Sequence, residues 1–414
     1  MNGKYYYQCT NCKAEYRTDE IIYLCPVCSK ENRDDQPAKG ILKVLFDYDG
    51  IRKRLPSGDL IDALKDENFL SLLPLHDFTN WPKLRIGNTP LYNFDISDSS
   101  KTGFELYLKD DSQNPTFSFK DRASALISAW AKENKIWTII TASTGNAGSS
   151  LAGISASQGQ KSYIFVPASA PLAKLTQIVM YGATLVAVNG TYDQAFDLSV
   201  KASELFGFYN RNTAFNPLTI EGKKTVSFEI FDQLNNRVPD YIFIPVGDGV
   251  ILSGVYKGFE DLMKLGIISK MPVMVSVQAE GSNNLVANIS TDHFISRPSK
   301  TIADSISVDI PRNFYMSVDY IKTYKGQYIT VSDEEIIRGS IRLSRSTGIF
   351  SEPAAAAAFA GMIKYRDTNK IPAGSKVVVM LTGSGLKDLK SVQSSIRLPS
   401  PIEPVVHLLK QIFN

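Results

Sequence analysis

Short apolar segments alternate with helical segments along most of this 414-residue chain, and this alternation limits the folds available to it. The segments with strand character are IWTIITAS (136–143), KSYIFVPA (161–168), ATLVAVNG (183–190), YIFIPVGDG (241–249), MPVMVSVQAEG (271–281) and KVVVMLTGSGLKD (376–388). Continuous apolar strands separated by helices indicate βαβ units whose parallel sheets are covered on both faces. The sequence therefore predicts an α/β fold that binds ligands at the carboxyl ends of its strands.

Three turns at predicted strand ends have the composition of anion-binding loops: STGNAG (143–148), PVGDGVILSG (245–254) and TGSG (382–385). Small residues let backbone N–H groups approach an anion closely, and a following helix adds the favourable field of its dipole. Each turn taken alone is also consistent with an ordinary capped connection between a strand and a helix.

The segment NPTFSFKDRA (114–123) places Lys120 behind an Asn-Pro turn and ahead of a long helical pattern. Lys120 and Arg122 can be interpreted as solvated charges of a first helical turn, or Lys120 as a buried amine at a cofactor. The combination with the three turns favours the second interpretation. Pyridoxal phosphate needs an amine for its aldehyde, donors for its phosphate, and partners for its ring oxygen and ring nitrogen.

All four cysteines lie near the start of the chain: Cys9, Cys12, Cys25 and Cys28. Two Cys-x2-Cys pairs at this separation are typical of two thiolate knuckles that face one tetrahedral zinc ion, and four thiolates leave no open position for catalysis. The alternatives are free thiols or two disulfides. Disulfides are unfavoured because the start, MNGKYYYQCTNC, has no apolar signal core, so a cytoplasmic location is expected. The sequence predicts a structural zinc site.

Composition excludes several classes of partner. A net charge of +3 is too small to indicate binding to nucleic acid or a membrane surface. No segment approaches the roughly 18 uninterrupted apolar residues of a membrane span. A hydrophobic content of 43% is ordinary for a soluble globular protein.

The motifs resemble those of the type II pyridoxal-phosphate enzymes and, within that family, of the threonine synthase branch. NPTFSFKDRA is similar to N-P-T-G-S-F-K-D-R-G, STGNAG to the asparagine loop, and LTGSGLKD (381–388) to T-G-x-G-L-K-D. FNPLTIEGKKTVSFEI (215–230) is similar to the branch pattern N-P-x-x-x-E-G-x-K-T, while SEPAAAAA (351–358) and TIADSI (301–306) are weaker matches. The resemblance covers about residues 8–390 and implies a two-domain fold with the cofactor in the cleft.

The resemblance also implies a role for each motif. Lys120 would carry the cofactor and act as the catalytic base, Asn146 would contact the ring hydroxyl, and Thr382 the ring nitrogen. The turn expected to bind the substrate carboxylate consists of Ser143, Thr144, Gly145 and Asn146. The loop expected to bind the cofactor phosphate consists of Gly247, Asp248, Gly249, Val250 and Ile251.

Four positions depart from the family patterns. Phe117 and Ala123 replace glycines of the lysine motif, and Ala147 stands where a threonine often follows the loop asparagine. Asp248 lies in a phosphate loop that reads G-N-x-G-N in the synthases, and its carboxylate would repel a dianion unless it points away or is neutralised. These changes put the substrate in doubt more than the cofactor.

The implied organisation is a zinc-ribbon-like module at 1–38, a large cofactor-binding domain at 39–114 and 213–414, and a small mobile domain at 115–212. The implied reaction, in a homodimer, converts O-phosphohomoserine and water to threonine and phosphate. Candidate cations for the substrate phosphate are Lys174, Lys223 and Lys224, each of which can also be read as a solvated surface lysine. The alternatives are β-replacement or ammonia-lyase chemistry on phosphoserine, serine or threonine, and a non-catalytic binding protein of the same fold.

Overall fold

The amino-terminal residues form a small antiparallel sheet in the computed structural model, which describes residues 3–19, 23–55, 59–94, 103–393 and 396–413. Its strands are β1 (Tyr5–Cys9), β2 (Glu15–Tyr16) and β3 (Leu42–Phe46), in the order β2-β1-β3. Because β1 pairs with β3 along its whole length, the sheet of the amino-terminal module continues past residue 38.

The other strands lie in two larger sheets. In chain order they are β4 (Leu91–Phe94), β5 (Glu105–Asp110), β6 (Thr138–Ala142), β7 (Lys161–Pro167), β8 (Thr184–Val188), β9 (Tyr209–Asn210), β10 (Tyr241–Pro245), β11 (Val273–Ala279), β12 (Gln327–Val331) and β13 (Lys376–Leu381).

Helices connect most of these strands. They are α1 (Tyr48–Arg54), α2 (Leu60–Asp66), α3 (Lys120–Glu133), α4 (Asn146–Gln158), α5 (Leu172–Met180), α6 (Tyr192–Phe206), α7 (Leu218–Gln233), α8 (Val250–Lys264), α9 (Asn284–Asn288), α10 (Phe314–Thr323), α11 (Asp333–Thr347), α12 (Pro353–Asp367) and α13 (Leu389–Gln393). No helix of the described ranges is long and apolar enough to cross a membrane.

The six-stranded sheet has the order β12-β11-β10-β13-β5-β4, and it is parallel except for the antiparallel edge strand β4. Alternate residues of β10 enter different cores: Ile242 and Ile244 belong to one cluster, and Phe243 to another. Both faces of the sheet are therefore buried, as continuous apolar strands require. The alanine run of α12 packs within the second cluster, where its small side chains allow a close approach to the sheet.

The four-stranded sheet has the order β8-β7-β6-β9 and is parallel throughout. Its strands are joined by α4, α5 and α6 in successive βαβ units. The predicted α/β architecture with parallel sheets covered by helices is confirmed. The predicted domain boundaries stay a prediction, although this separate sheet lies within the range 115–212.

Candidate functional site

Lys120 begins α3, and the segment before it is attached to the loop that follows β13. Phe119 donates its backbone N–H to the carbonyl oxygen of Thr382 at 2.9 Å, and Ser118 forms an isolated bridge with Gly383. Thr382 is itself only 6% exposed. The lysine motif and the TGSG turn, which are about 260 residues apart in the chain, therefore meet at the carboxyl end of a central strand.

Lys120 is partly exposed, and side chains of both charge signs lie around its amine. Burial lowers its pKa, because the ammonium form loses hydration. The carboxylates of Glu352 and Asp248 oppose that effect, while Arg211 adds to it. A lysine with a depressed pKa holds a neutral, nucleophilic amine at lower pH than a solvated one does.

Arg122, two residues further on, has a structural role. It is fully buried, and its guanidinium pairs with Asp111 and Glu229, each at 2.6 Å. The two carboxylates raise the pKa of Arg122 and link α3 to α7. The interpretation of this residue as a solvated charge of the first turn is therefore wrong.

Asn146 begins α4 and contacts a buried carboxylate that the sequence analysis did not single out. Its side-chain amide donates to both oxygens of Glu352, each at 3.0 Å. Burial raises the pKa of Glu352, whereas the amide of Asn146 and the charge of Lys120 lower it. Glu352 follows Ser351 in the SEPAAAAA segment, and this weak family match was the only sequence signal for it.

The rest of the STGNAG turn connects β6 to α4. Ser143 hydrogen-bonds through its backbone N–H to Phe165, and its hydroxyl accepts the N–H of Gly145 at 3.2 Å. Ser143, Thr144 and Gly145 are all partly exposed, so a ligand can reach them. The backbone N–H groups of the first turn of α4 have no partner within the helix, and this suits a carboxylate.

The GDGVILSG loop connects β10 to α8 and makes close backbone contacts. Gly249 precedes α8 with φ +85°, a conformation that favours glycine, and a Cβ there would lie 2.2 Å from the hydroxyl of Ser317. A Cβ at Gly247 would lie 2.9 Å from the Cα of Ile306. Val250 and Ile251 form the first turn of α8, where backbone N–H groups can bind an anion.

Asp248 does not stand unpartnered in this loop. Its carboxylate accepts the backbone N–H of Arg312 at 3.1 Å, and its carbonyl accepts that of Asn313 at 3.1 Å. Its negative charge also interacts with Lys120 and Lys223. The repulsion expected between Asp248 and a phosphate is therefore offset by neighbouring cations.

The three candidate cations for a substrate phosphate differ in their surroundings. Lys174 pairs with the half-exposed Asp304 at 2.7 Å, and Lys224 is buried between Glu221 and Asp261. The Nζ of Lys223 has no hydrogen-bond partner among the described residues, although the residue is fully buried. Neither Lys223 nor Lys224 is a solvated surface lysine.

Lys387, in the TGSGLKD ending, is a second residue that the sequence analysis did not assign. Its ammonium donates to Ser149 at 2.7 Å and to Gln177 at 2.6 Å, on α4 and α5. Burial lowers its pKa to about 8, and Glu352 opposes that shift. Lys387 thus joins the loop after β13 to the helices of the four-stranded sheet.

Phe117 occupies the glycine position of the lysine motif in a left-handed conformation, with φ +67°. Such a conformation costs a non-glycine residue on the order of 1 kcal/mol. Its ring is 48% exposed, so packing in the core does not compensate for the strain. Ser384 donates its backbone N–H to the carbonyl of Phe117 at 3.1 Å, which helps to hold this conformation.

The predicted metal ligands come together. The sulfur atoms of Cys9, Cys12, Cys25 and Cys28 all lie within 4.8 Å of one another, and Cys9 and Cys25 are fully buried. Four thiol sulfurs in one cluster match the donor set that zinc prefers.

A partly buried lysine between two glycine-rich turns, at the carboxyl ends of parallel strands, is the arrangement of a fold type II pyridoxal-phosphate enzyme. The fold is similar to that of the processed form of threonine deaminase isoform 2 from Solanum lycopersicum, with a TM-score of 0.64 and 23% identity. The match covers 74% of this chain and 82% of that one.

The sequence relationship is closer. The family model for pyridoxal-phosphate dependent enzymes matches residues 83–383. Threonine synthase of Methanocaldococcus jannaschii is 34% identical over 98% of this chain and 99% of its own. Threonine synthase of Bacillus sp. (strain ULM1) is 38% identical over 80% and 92%. The chain belongs to the pyridoxal-phosphate dependent enzyme family, as a lyase of the threonine synthase type.

Proposed function

We propose that the chain converts O-phosphohomoserine and water to threonine and phosphate. The observation that carries this proposal is the match to threonine synthases over nearly the full length of both chains. In this reaction phosphate leaves the γ-carbon, the β-carbon loses a proton and gains the hydroxyl of water, and a proton is returned to the γ-carbon. The non-catalytic alternative is not retained, because the chain belongs to a family of enzymes.

Pyridoxal phosphate fits the residues of the pocket. Lys120 supplies an amine for the cofactor aldehyde, and the loop at 247–251 supplies glycine backbone and a helix N-terminus for its phosphate. Asn146 donates to Glu352, whose charge interacts with Lys120, and the carbonyl of Thr382 accepts the N–H of Phe119. These links support the assignment of the two residues to the ring oxygen and the ring nitrogen. When bound, the cofactor withdraws electrons from the substrate α-carbon and so acidifies its proton.

The protein's own groups would then handle protons and charge. Lys120, as a free amine, would take the substrate α-proton on Nζ as a general base. Burial lowers the pKa of Lys120, which favours the neutral form of this amine. Thr382 would offer a neutral hydroxyl to the ring nitrogen, whereas a carboxylate there would keep the nitrogen protonated. Electron withdrawal by the cofactor would then be moderate, which suits elimination more than transamination. The backbone of Ser143–Asn146 orients the substrate carboxylate.

One observation favours the rival chemistry on phosphoserine, serine or threonine. Phe117 retains a strained backbone and an exposed ring next to the lysine motif, where the synthase pattern has glycine. A bulky ring at that position reduces the space for the extended, phosphorylated side chain of O-phosphohomoserine. The shorter amino acids are therefore the second candidate substrates.

The deciding experiment incubates the purified, cofactor-loaded protein with O-phosphohomoserine and follows free phosphate and amino-acid products together. Equimolar phosphate and threonine would support the proposed reaction. Phosphoserine, serine and threonine are tested in parallel under the same conditions. Turnover of one of these, without turnover of O-phosphohomoserine, would replace the proposal with the rival one.

Three further properties belong to the same proposal. The cysteine cluster would hold one zinc ion in a structural role, because four thiolates close its coordination shell. The family resemblance implies a homodimer, which sedimentation of the loaded protein would test. A cytoplasmic location stays a prediction from the amino-terminal sequence.

A further inference from the structure

Two fully buried cations near Lys120 carry donor atoms that nothing in the described structure satisfies. They are the Nζ of Lys223 and the Nη2 of Arg211. A buried charge without a partner is strongly unfavourable, so proteins rarely keep one without a functional reason. The neighbouring Lys224 shows the usual arrangement, because it lies between Glu221 and Asp261.

Lys223 is positioned beside the start of α8. A Cβ added to Gly254, in the second turn of α8, would lie 2.7 Å from the Cβ of Lys223, so glycine there makes room for the lysine. The charges that interact with Lys223 are those of Arg211, Lys120 and Asp248. Its amine therefore belongs to the same pocket as Lys120 and the GDGVILSG loop.

Arg211 follows β9 and is held from the other side of the pocket. Its Nε donates to the hydroxyl of Ser124 at 3.2 Å, and its Nη1 donates to that of Thr213 at 2.9 Å. Ser124 lies one helical turn after Lys120 on α3. These two hydrogen bonds fix the guanidinium and leave Nη2 available to a ligand.

The charge balance of the pocket favours an anion. Three basic side chains, Lys120, Arg211 and Lys223, lie within electrostatic reach of one another. The carboxylate of Asp248 already accepts a backbone N–H, and that of Glu352 accepts the amide of Asn146. We propose that Lys223 and Arg211 form a binding site for a phosphoryl dianion beside Lys120. The site deepens the proposed function, on which it rests for the presence of phosphorylated ligands.

The chemistry fits a phosphoryl group better than a carboxylate. A phosphoryl dianion carries two charges and three terminal oxygens, enough for an ammonium, a guanidinium and backbone N–H groups together. The first turn of α8 contributes N–H groups and the positive end of its dipole. The phosphoryl group can come from the cofactor or from the substrate, and both sources present the same dianion.

The electrostatics predict a pH dependence. Burial, Arg211 and Lys120 lower the pKa of Lys223 well below its usual value, and Asp248 partly opposes this. A bound dianion raises that pKa again, so binding takes up a proton. Affinity for the dianion should therefore decrease as pH rises through the range in which the Lys223 amine loses its proton, measured above the second phosphate pKa of roughly 6.

Binding measurements on full-length Lys223→Met test the proposal without depending on turnover. Equilibrium dialysis measures pyridoxal phosphate and its phosphate-free analogue pyridoxal, and calorimetry measures inorganic phosphate on the cofactor-loaded protein. Lys264→Met, at the far end of α8, is the matched control, and Lys223→Arg retains the charge. Loss of one charge-assisted hydrogen bond reduces affinity about 10- to 100-fold.

The ligand whose affinity falls shows whether Lys223 binds the phosphoryl group of the cofactor or that of the substrate. Weaker pyridoxal phosphate binding with unchanged pyridoxal binding assigns Lys223 to the cofactor phosphate. Unchanged cofactor binding with weaker inorganic phosphate binding assigns it to the substrate phosphate. Affinities within about twofold of wild type for both ligands overturn the proposal. Absence of threonine formation by the wild-type protein would reject the proposed reaction and leave these binding results interpretable.

Thermal unfolding separates this role from a structural one. Lys223→Met removes an unpaired buried amine and keeps a similar volume, so the ligand-free protein should melt at or above the wild-type temperature. A marked fall in melting temperature for Lys223→Met, matched by Lys223→Arg, would mean that the amine serves folding and would overturn the proposal.

Discussion

Asn146 and Glu352 are 206 residues apart in sequence, yet the amide of Asn146 donates to both carboxylate oxygens of Glu352 at 3.0 Å. The contact joins the amino end of α4, beside the four-stranded sheet, to the amino end of α12, beside the six-stranded sheet. It lies within electrostatic reach of Lys120. The pair therefore connects the residue expected at the cofactor ring to the counter-charge of the reactive amine.

The first prediction concerns stability at Glu352. Because burial raises its pKa in the folded protein, the folded state favours the protonated carboxyl, and the ionised form costs stability as pH rises above about 4.5. Glu352→Gln should therefore raise the melting temperature at pH 7, and the gain should disappear below about pH 4.5. Differential scanning calorimetry at several pH values measures this.

Glu334→Gln, at an exposed position of α11, is the control and should show no comparable gain. A melting temperature for Glu352→Gln that falls at pH 7 would contradict the first prediction. Glu352→Gln should also change the pH dependence with which pyridoxal phosphate attaches to Lys120. Without the Glu352 charge the pKa of Lys120 falls further, and covalent loading of pyridoxal phosphate should reach half its maximal rate at lower pH.

The second prediction concerns Lys120. Lys120→Ala removes the amine that would hold the cofactor, so the visible absorption band of lysine-bound pyridoxal phosphate should be absent from the purified protein. Absorption spectroscopy before and after borohydride reduction checks this. Lys132→Ala, in the last turn of the same helix, should keep the band. A Lys120→Ala protein that still shows the reducible band would sink the assignment.

The third prediction concerns Phe117. Phe117→Gly relieves the strain of a left-handed backbone conformation. The free energy of unfolding, measured in urea, should therefore be unchanged or raised by up to about 1 kcal/mol. Phe117→Ala removes the ring but retains the strained φ, so it separates the two effects. If the ring limits substrate size, both variants should lower KM for O-phosphohomoserine relative to phosphoserine. If the KM for O-phosphohomoserine divided by that for phosphoserine rises in both variants, the ring does not limit substrate size.

The fourth prediction concerns the cysteine cluster. Purified protein should contain about one zinc per chain, and chelation should lower the melting temperature by several degrees without removing the visible cofactor band. Cys12→Ser should lower the melting temperature in the same way, because it removes one of the clustered sulfurs. Glu15→Gln, on the neighbouring strand β2, should not. Metal-free protein with an unaltered melting temperature would rule out a structural zinc.

Much of the site was readable from local patterns. The strand-to-helix turns at 143–148 and 247–254, and the position of Lys120 at the start of a helix, follow from hydrophobic periodicity and small residues. The spacing of the cysteines likewise brings their sulfurs together, because each Cys-x2-Cys pair is local. The sequence by itself thus determined the α/β class and the chemistry of the motifs.

Other features depend on distances between elements that no local pattern encodes. Glu352 and Lys387 look like ordinary charged residues of a helix or turn in the sequence, and Lys223, a candidate cation, could not be distinguished there from a solvated surface lysine. Their roles arise only when α7, α12 and the loop after β13 converge around Lys120. Burial and the nearest opposite charge then decide whether a charged side chain is solvated, paired or available to a ligand. The tertiary structure therefore decided which cations of this chain are structural and which remain available to a ligand.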